Sequence, residues 1–395
     1  MSVWLLFAAL PWLIVPPIVL WRARRSRSLD DESDTLPPGA PTVSVIIPAR
    51  NEAHNIERCV RSVLSSRYTP LEVVLVDDHS EDGTADRARL TAAGDDRLRI
   101  VPAPALPDDW FGKQWACWQG AIVARGTLLC FTDADTVHGP DLLPRAVNAL
   151  HGRDAHLLSV FGRQEVGTFW ERVVQPQVFF MLAARYGGTE RVNQARRVSD
   201  KIANGQFLLV RRDAYAELGG HSAVRAKVAE DLALAQRFFA EGRRSVLVLG
   251  TRQLTTRMYT SLGEVVRGWM KNIFAGSRDA VPLGRAGRAL LPVLLLAGPV
   301  VTLAPLIVLA ARLLWPVPPA LALWSGICAL GTLVWWVVIY TIFARTILAP
   351  PTFNTVAPAY ALAFPLGAVV LLYITARALI RGRKVEWKGR AYRAG

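Results

Sequence analysis

Three charge-free apolar runs near the end of the chain, Ala289–Ala311, Leu313–Ala344 and Thr346–Ala376, limit what it can fold into. A fourth, Met1–Trp21, opens it. Each is long enough for a helix across a bilayer core of about 30 Å, which takes roughly 20 apolar residues. The overall hydrophobic fraction of 52% is too high for an ordinary soluble enzyme, and these runs hold the excess. Arg22, Arg24, Arg25 and Arg27 follow the first run instead of preceding it, and no small-residue cleavage site is evident. The run is therefore expected to be a retained anchor, not a signal peptide.

The net charge of +14 invites a nucleic-acid reading, which the placement of the charges excludes. Much of it sits beside the apolar runs, in Arg22–Arg27, Arg278–Arg288 and Arg377–Arg393, as juxtamembrane basic residues do. There is no nucleic-acid-binding motif and no alternation of aromatic with basic residues. Cys59, Cys117, Cys130 and Cys328 lie far apart without zinc-ligand spacing, so buried reduced thiols are expected.

Between the apolar ends, short β-branched runs alternate with helical patterns. Val43–Ile47, Leu71–Val76, Leu98–Val101 and Thr127–Thr132 read as strands, with a helix over Ile56–Leu64 and another over Trp115–Ala124. Leu157–Val160, Phe207–Val210 and Ser245–Leu249 add strands, and Glu230–Ala240 and Leu262–Phe274 add helices. Aromatic, amphipathic Phe169–Tyr186 fits a core helix and an interfacial membrane helix equally well. The pattern predicts an α/β fold, a doubly wound mostly parallel sheet, with an N-terminal transmembrane helix and C-terminal transmembrane helices. The expected organisation is an anchor over residues 1–27, a Pro-containing acidic linker over 28–41, and a catalytic domain over 42–276. Membrane segments over 277–380 and a basic tail over 381–395 complete it.

Acidic clusters fall at the ends of these elements. Pro48-Ala49-Arg50-Asn51-Glu52 follows the first strand, Asp77-Asp78 the second, and Asp133-Ala134-Asp135 the fourth; Glu230-Asp231 opens a later helix. Each has a bland reading as a turn or a helix-start acid. In a doubly wound sheet, however, strand-end residues converge on one crevice. Paired carboxylates such as Asp133 and Asp135 are costly without a cation, and Mg²⁺ or Mn²⁺ takes one or two carboxylates plus substrate phosphates.

V-S-V-I-I-P-A-R-N-E, V-L-V-D-D-H-S-E-D-G-T, F-T-D-A-D-T and the later A-E-D resemble family 2 glycosyltransferases with the GT-A fold, over about Thr42 to Asn272. Asp109–Ala116, Asn204-Gly205-Gln206, Gly219-Gly220-His221 and the terminal Glu386–Tyr392 resemble more narrowly the membrane-bound branch near hopanoid-associated and carotenoid glycosyltransferases. The resemblance implies that Pro48, Arg50 and Glu52 shape a nucleotide pocket and that Asp78 contacts base or ribose. Asp133 and Asp135 would hold a divalent metal, Mg²⁺ or Mn²⁺, on the donor diphosphate, with Asp133 also in the donor site. Asp231 would take the proton of an acceptor hydroxyl in one inverting displacement, with Glu230 the competing base. Lys113 would touch donor phosphate or sugar, against the alternative of a solvated charge. Gly205, Gln206 and His221 would touch donor or acceptor, His221 competing with a purely turn-forming role, and His79 reads as a turn residue. Many membrane relatives carry Gln/Arg-x-x-Arg-Trp after the base. Here Glu264-Val265-Val266-Arg267-Gly268-Trp269 departs from it, leaving Arg267 near diphosphate and Trp269 near the acceptor as open assignments and arguing against a processive polysaccharide synthase.

The expected function is transfer of a sugar from a UDP- or GDP-sugar to a membrane lipid or isoprenoid acceptor, by a multi-pass inner-membrane enzyme whose catalytic domain faces the cytosol. A polyprenyl-phosphate glycosyltransferase and an inactive nucleotide-sugar-binding component are the rivals, and the spans offer a transporter few polar residues. Topology poses a conflict. Three full spans after a cytosolic domain would put the tail outside, yet Arg377, Arg381, Arg383, Lys384, Lys388, Arg390 and Arg393 favour inside. Either one segment is re-entrant or lies flat, or the tail breaks the rule. Trp315–Pro319 and Pro350-Pro351 mark the expected bends, and a cytosolic tail is favoured.

Overall fold

The computed structural model describes residues 3–36, 39–280, 284–350, 352–382, 384–387 and 390–393. Met1 of the anchor run, residues 281–283 of the basic stretch, Pro351 of the second bend, and Arg383, Lys388 and Gly389 of the tail lie outside the described residues. The chain forms two compact units. One comprises Ser26–Gln164, Val192–Met258 and Arg383–Gly395; the other comprises Met1–Arg25, Glu165–Arg191 and Tyr259–Gly382.

The first unit is built on a seven-stranded sheet, whose strands we number β1 (Val43–Ala49), β2 (Leu71–Asp77), β3 (Leu98–Pro102), β4 (Leu128–Thr132), β5 (Leu157–Phe161), β6 (Phe207–Arg211) and β7 (Ser245–Leu249). Their order is β3-β2-β1-β4-β6-β5-β7. Only β6 runs antiparallel to its neighbours β4 and β5; the other pairings are parallel. Central β1 shows why no polar alternation marks these strands: Val43, Val45, Ile46 and Ile47 are all fully buried because helices cover both faces. Val43, Val45 and Ile47 join a core with Ile56, Val60 and Val63 of helix Ile56–Leu64. Ile46 turns the other way, against Ala116 and Cys117 of helix Gly112–Val123. Burial of each such side chain contributes roughly 1.5–3 kcal/mol.

Register positions the site. Ala49 pairs with Asp77 and Ile46 with Phe131, so the residues that follow β1, β2 and β4 emerge at one edge. β1 lies between β2 and β4, where the connections diverge to opposite sides; this is the switch point at which open α/β sheets bind ligands. Antiparallel β6 begins at the same edge, with Phe207 opposite Thr132. Three short strands escape the sequence pattern. Thr136–His138 pairs antiparallel with Leu254–Thr256, which also takes Arg163 and Gln164 in parallel. At three residues each, they are too short to show a period.

The tail departs from a simple basic segment. Lys384–Trp387 and Arg390–Arg393 form an antiparallel hairpin, with Val385 opposite Tyr392.

The second unit is helical. Three of its helices are long and apolar enough to cross a membrane: Ala286–Ala311, Pro319–Thr346 and Phe364–Arg381. Leu290, Val293, Leu294, Ile307, Leu323 and Leu330 on them are exposed, as lipid-facing side chains would be. At the N-terminus, Val3–Ala23 is helical. The run Thr346–Ala376 is not one helix but two, Phe353–Ala361 and Phe364–Arg381. Pro365 sits in the first turn of the second, where its missing N–H costs nothing and its ring ends any continuation from upstream. Helix Phe169–Tyr186 packs within this unit. Its start is fixed by a reciprocal cap in which Thr168 N–H donates to Glu171 Oε2 at 2.6 Å, and Gln177 Nε2 donates to the Phe364 carbonyl at 2.9 Å.

Candidate active site

The loop after β1 is held in an unusual conformation by the loop after β2. Asn51 has φ 53°, a left-handed backbone that Asn tolerates better than most residues. Its N–H donates to Ser80 Oγ at 3.0 Å, and its Oδ1 accepts from Glu81 N–H at 3.0 Å. Glu52 N–H donates to Thr84 Oγ1 at 2.9 Å and Ala53 N–H to Asp82 Oδ2 at 2.9 Å. The Ser-Glu-Asp-Gly-Thr stretch therefore fastens the Pro48–Glu52 loop as well as starting a helix. Arg50 reaches across, its Nη1 donating to the Asp78 carbonyl at 2.7 Å. The side chain of Asp78 is 2% exposed and is gripped by both terminal nitrogens of Arg390, at 2.7 and 3.3 Å. Sequence spacing carries no signal for that pairing, which joins residues 312 positions apart.

A second constellation forms where β4 ends. Lys113, in the first turn of helix Gly112–Val123, puts its Nζ 2.6 Å from Asp133 Oδ1 and 2.7 Å from Glu230 Oε1. Burial opposes the lysine charge, but the two carboxylates outweigh it and hold its pKa well above the ordinary range. A solvated-charge role for Lys113 is thus not what the structure shows. Next to Glu230, Asp231 accepts from Gly205 N–H at 2.7 Å and from Leu232 N–H at 2.8 Å. Burial and the adjacent Glu230 push Asp231 up to about 6, against the opposing pull of Lys113 and the two backbone donors. Glycine at 205 suits this packing, because a Cβ there would crowd Asp231 Oδ2 at 3.1 Å and Lys113 Nζ at 3.3 Å.

Asp135 faces a different field. Burial, then repulsion from Asp133 and Glu52, raise it to about 7. Its Oδ1 is buried without a hydrogen-bond partner. An orphaned buried carboxylate oxygen beside a second carboxylate is a donor set that fits a hard divalent cation. Among the described residues no group of three or more His, Cys, Asp or Glu side chains converges as a metal cage. A two-carboxylate site completed by phosphate oxygens and water is the arrangement Mg²⁺ commonly takes.

Other residues singled out in the sequence have interior roles. Gln206 shares hydrogen bonds with Gln164 and Asn204, and its carbonyl accepts from Thr132 Oγ1 at 2.7 Å, tying β6 to the end of β4. His221 is buried, hydrogen-bonded to the Tyr215 hydroxyl at 2.8 Å and set edge-on to Phe131. Burial lowers its pKa to about 3, so it is a neutral imidazole. Lys113, Asp133, Gly205, His221 and Glu230 nonetheless line one small cavity. His79 has φ 56° and forms the turn expected of it. Arg267 and Trp269 stand on helix Leu262–Ala280 of the helical unit, where Trp269 packs edge-on against Phe179 and Tyr259.

Residues 44–219 match the family model described as glycosyl transferase family 2. The chain carries a family 2 glycosyltransferase domain. A 4,4'-diaponeurosporenoate glycosyltransferase of Staphylococcus haemolyticus is 25% identical over 244 residues, covering 61% of this chain and 63% of that protein. Glycosyltransferase AglE of Haloferax volcanii is 30% identical over 185 residues, 45% of this chain and 55% of its own length. The chain therefore spans less than two thirds of either relative. In fold, the chain is similar to a mannosyltransferase from Pyrobaculum calidifontis in complex with GDP-Man and Mn²⁺. The TM-score is 0.55 at 20% identity, over 95% of this chain and 97% of that one. The sheet order and the single reversed strand are those of the GT-A fold, as the motifs predict.

Proposed function

We propose that the protein transfers a sugar from a nucleotide-sugar donor to an apolar, lipid-like acceptor at a membrane surface, with inversion at the anomeric carbon. The observation that carries this reading is the pairing of Lys113 with both Asp133 and Glu230, the neighbour of Asp231. It sets a diphosphate-side acid and a candidate base around one point at the sheet's switch point. The long apolar helices, and relatives named for a carotenoid acid, support an apolar acceptor.

The roles divide by environment. The loops after β1 and β2 seat the nucleoside, with Pro48, Arg50, Glu52 and Asp78. Asp133 and Asp135 would hold a divalent cation, which when bound neutralises charge on the departing nucleoside diphosphate. Lys113 adds a fixed positive charge at the same place. Asp231, with no ion-pair partner among the described residues and a pKa of about 6, is the better base; Glu230 is engaged by Lys113. As the acceptor oxygen bonds to the anomeric carbon, the bond from that carbon to the leaving phosphate oxygen breaks, and the acceptor proton passes to Asp231. Gly205 N–H keeps that carboxylate aimed.

The Arg390–Asp78 contact supports a tail on the same side of the membrane as the catalytic domain. The helical segments between them must then cross an even number of times. We infer that Gly284–Ala311 and Pro319–Thr346 cross and return, each about 42 Å long at 1.5 Å per residue, while Phe364–Arg381, at about 27 Å the shortest and least apolar of the three, re-enters or lies along the membrane.

The test is a screen of radiolabelled sugar nucleotides against total lipid extract with Mn²⁺ or Mg²⁺. The proposal expects label in an organic-soluble product that survives mild acid. An acid-labile product would mark a glycosyl phosphate and favour a polyprenyl-phosphate acceptor, and no transfer from any donor overturns the reading.

A further inference from the structure

The C-terminal hairpin is a sequence motif to which the roles above assign no chemistry, and it touches the nucleotide side of the site at two points. Arg390 and Tyr392 are two apart on one strand and so face the same way. Arg390 makes a fork-like contact with the Asp78 carboxylate, at 2.7 and 3.3 Å. Tyr392 lies edge-on to Phe111 with ring centroids 4.4 Å apart, and its hydroxyl accepts from Gly112 N–H at 3.3 Å. Asp78 ends one wall of the crevice; Phe111 and Gly112 begin the helix that presents Lys113 on the other. One strand from the end of the chain thus spans both walls.

The pairing is more than incidental surface electrostatics. Exposed ion pairs contribute little, but Asp78 is 2% exposed and Arg390 24%. Leaving that carboxylate without its guanidinium would strand a buried polar group, with His79 Nδ1 as its remaining side-chain neighbour among the described residues at 3.3 Å. A carboxylate has about four lone-pair sites, of which Arg390 takes two and His79 Nδ1 faces a third. Asp78 therefore keeps acceptor capacity for the hydroxyl or N–H groups of a nucleoside.

We propose that Arg390 is a positioning residue for the donor, holding the Asp78 carboxylate oriented for nucleoside binding, and that the hairpin forms part of the nucleotide site, with Tyr392 holding the Phe111–Gly112 turn. The assignment rests on the donor-site reading above and extends it to a segment outside the matched family region. It gives the tail's conformation a direct route to donor affinity.

Binding of UDP and of GDP to the detergent-solubilised full-length protein, with Mn²⁺ present, tests this. The wild type is expected to bind one of them. R390Q should bind it at least about tenfold more weakly, a change of about 1.4 kcal/mol. R390K, which keeps the charge and loses the fork, should recover part of the loss. The double variant R390Q/D78N should bind no more weakly than D78N alone, because both changes disable one contact. Y392F keeps the ring on Phe111 and should fold normally while binding less tightly. Wild-type affinity in R390Q, or additive losses in the double variant, would overturn the assignment and leave the donor site standing. Failure of the wild type to bind either nucleotide would overturn the donor-site reading itself.

Discussion

The Lys113 ammonium stands 2.6 Å from an Asp133 carboxylate oxygen and, on its other side, reaches Glu230. Lys113 also lowers the pKa of Asp231, because a nearby positive charge favours the ionised acid. Raised to about 6 overall, Asp231 must lose its proton to act as base, so kcat/KM should climb with pH through about 6 and then level. In Lys113→Met the acidic limb should move to higher pH and donor affinity should fall. A pH–rate profile for both proteins checks this, and an unmoved limb would contradict the proposed coupling.

Asp135 predicts a trade between stability and function. Its pKa is about 7 folded against an ordinary aspartate value of 3.8, so the folded state binds the proton more tightly. That contribution is complete below about pH 4 and is lost as pH rises through about 7, so at neutral pH the ionised group is a burden on the fold, on the order of a few kcal/mol at most. Without divalent cation at pH 7.5, Asp135→Asn should melt at a higher temperature than the wild type. Added Mn²⁺ should raise the wild-type Tm, through binding to the native state alone, and leave the variant unmoved. Thermal melts with and without Mn²⁺ read both effects.

Gly205→Ala tests the packing of the base. A methyl group 3.1 Å from Asp231 Oδ2 forces the carboxylate or Lys113 to shift by a few tenths of an ångström. Global stability should change by less than about 1 kcal/mol, whereas kcat should fall about tenfold or more, since small misplacements at a reacting centre are amplified. Equal kcat would show that Gly205 does not set the aim of Asp231.

Topology is tested with a cleavable C-terminal tag. In sealed inside-out vesicles, protease should remove the tag and also cut catalytic-domain loops. A tag protected while the domain is cut would contradict an even number of crossings.

The strands were readable because burial on both faces leaves β-branched runs such as Val43–Ile47, and the acid clusters because sheet topology gathers strand ends. Two kinds of feature were hidden. Short strands such as Thr136–His138 hold too few residues to show a period. Long-range partners, Arg390 with Asp78 and Lys113 with Glu230, depend on tertiary packing that no local spacing encodes. His221 shows the converse. A histidine after two glycines looks chemically poised; the ring of Tyr215 and the edge of Phe131 hold it as a buried, neutral imidazole that still lines the cavity with Lys113 and Glu230.

The central claim is that one carboxylate, Asp231, serves as base for sugar transfer while other residues hold the donor. The direct measurement is the rate of label transfer from the preferred sugar nucleotide to lipid by Asp231→Asn, with nucleotide binding measured on the same preparation. Transfer should fall about 10²–10⁴-fold with donor affinity nearly unchanged. Transfer at the wild-type rate, or a loss of donor binding equal to that in Asp135→Ala, would contradict the account.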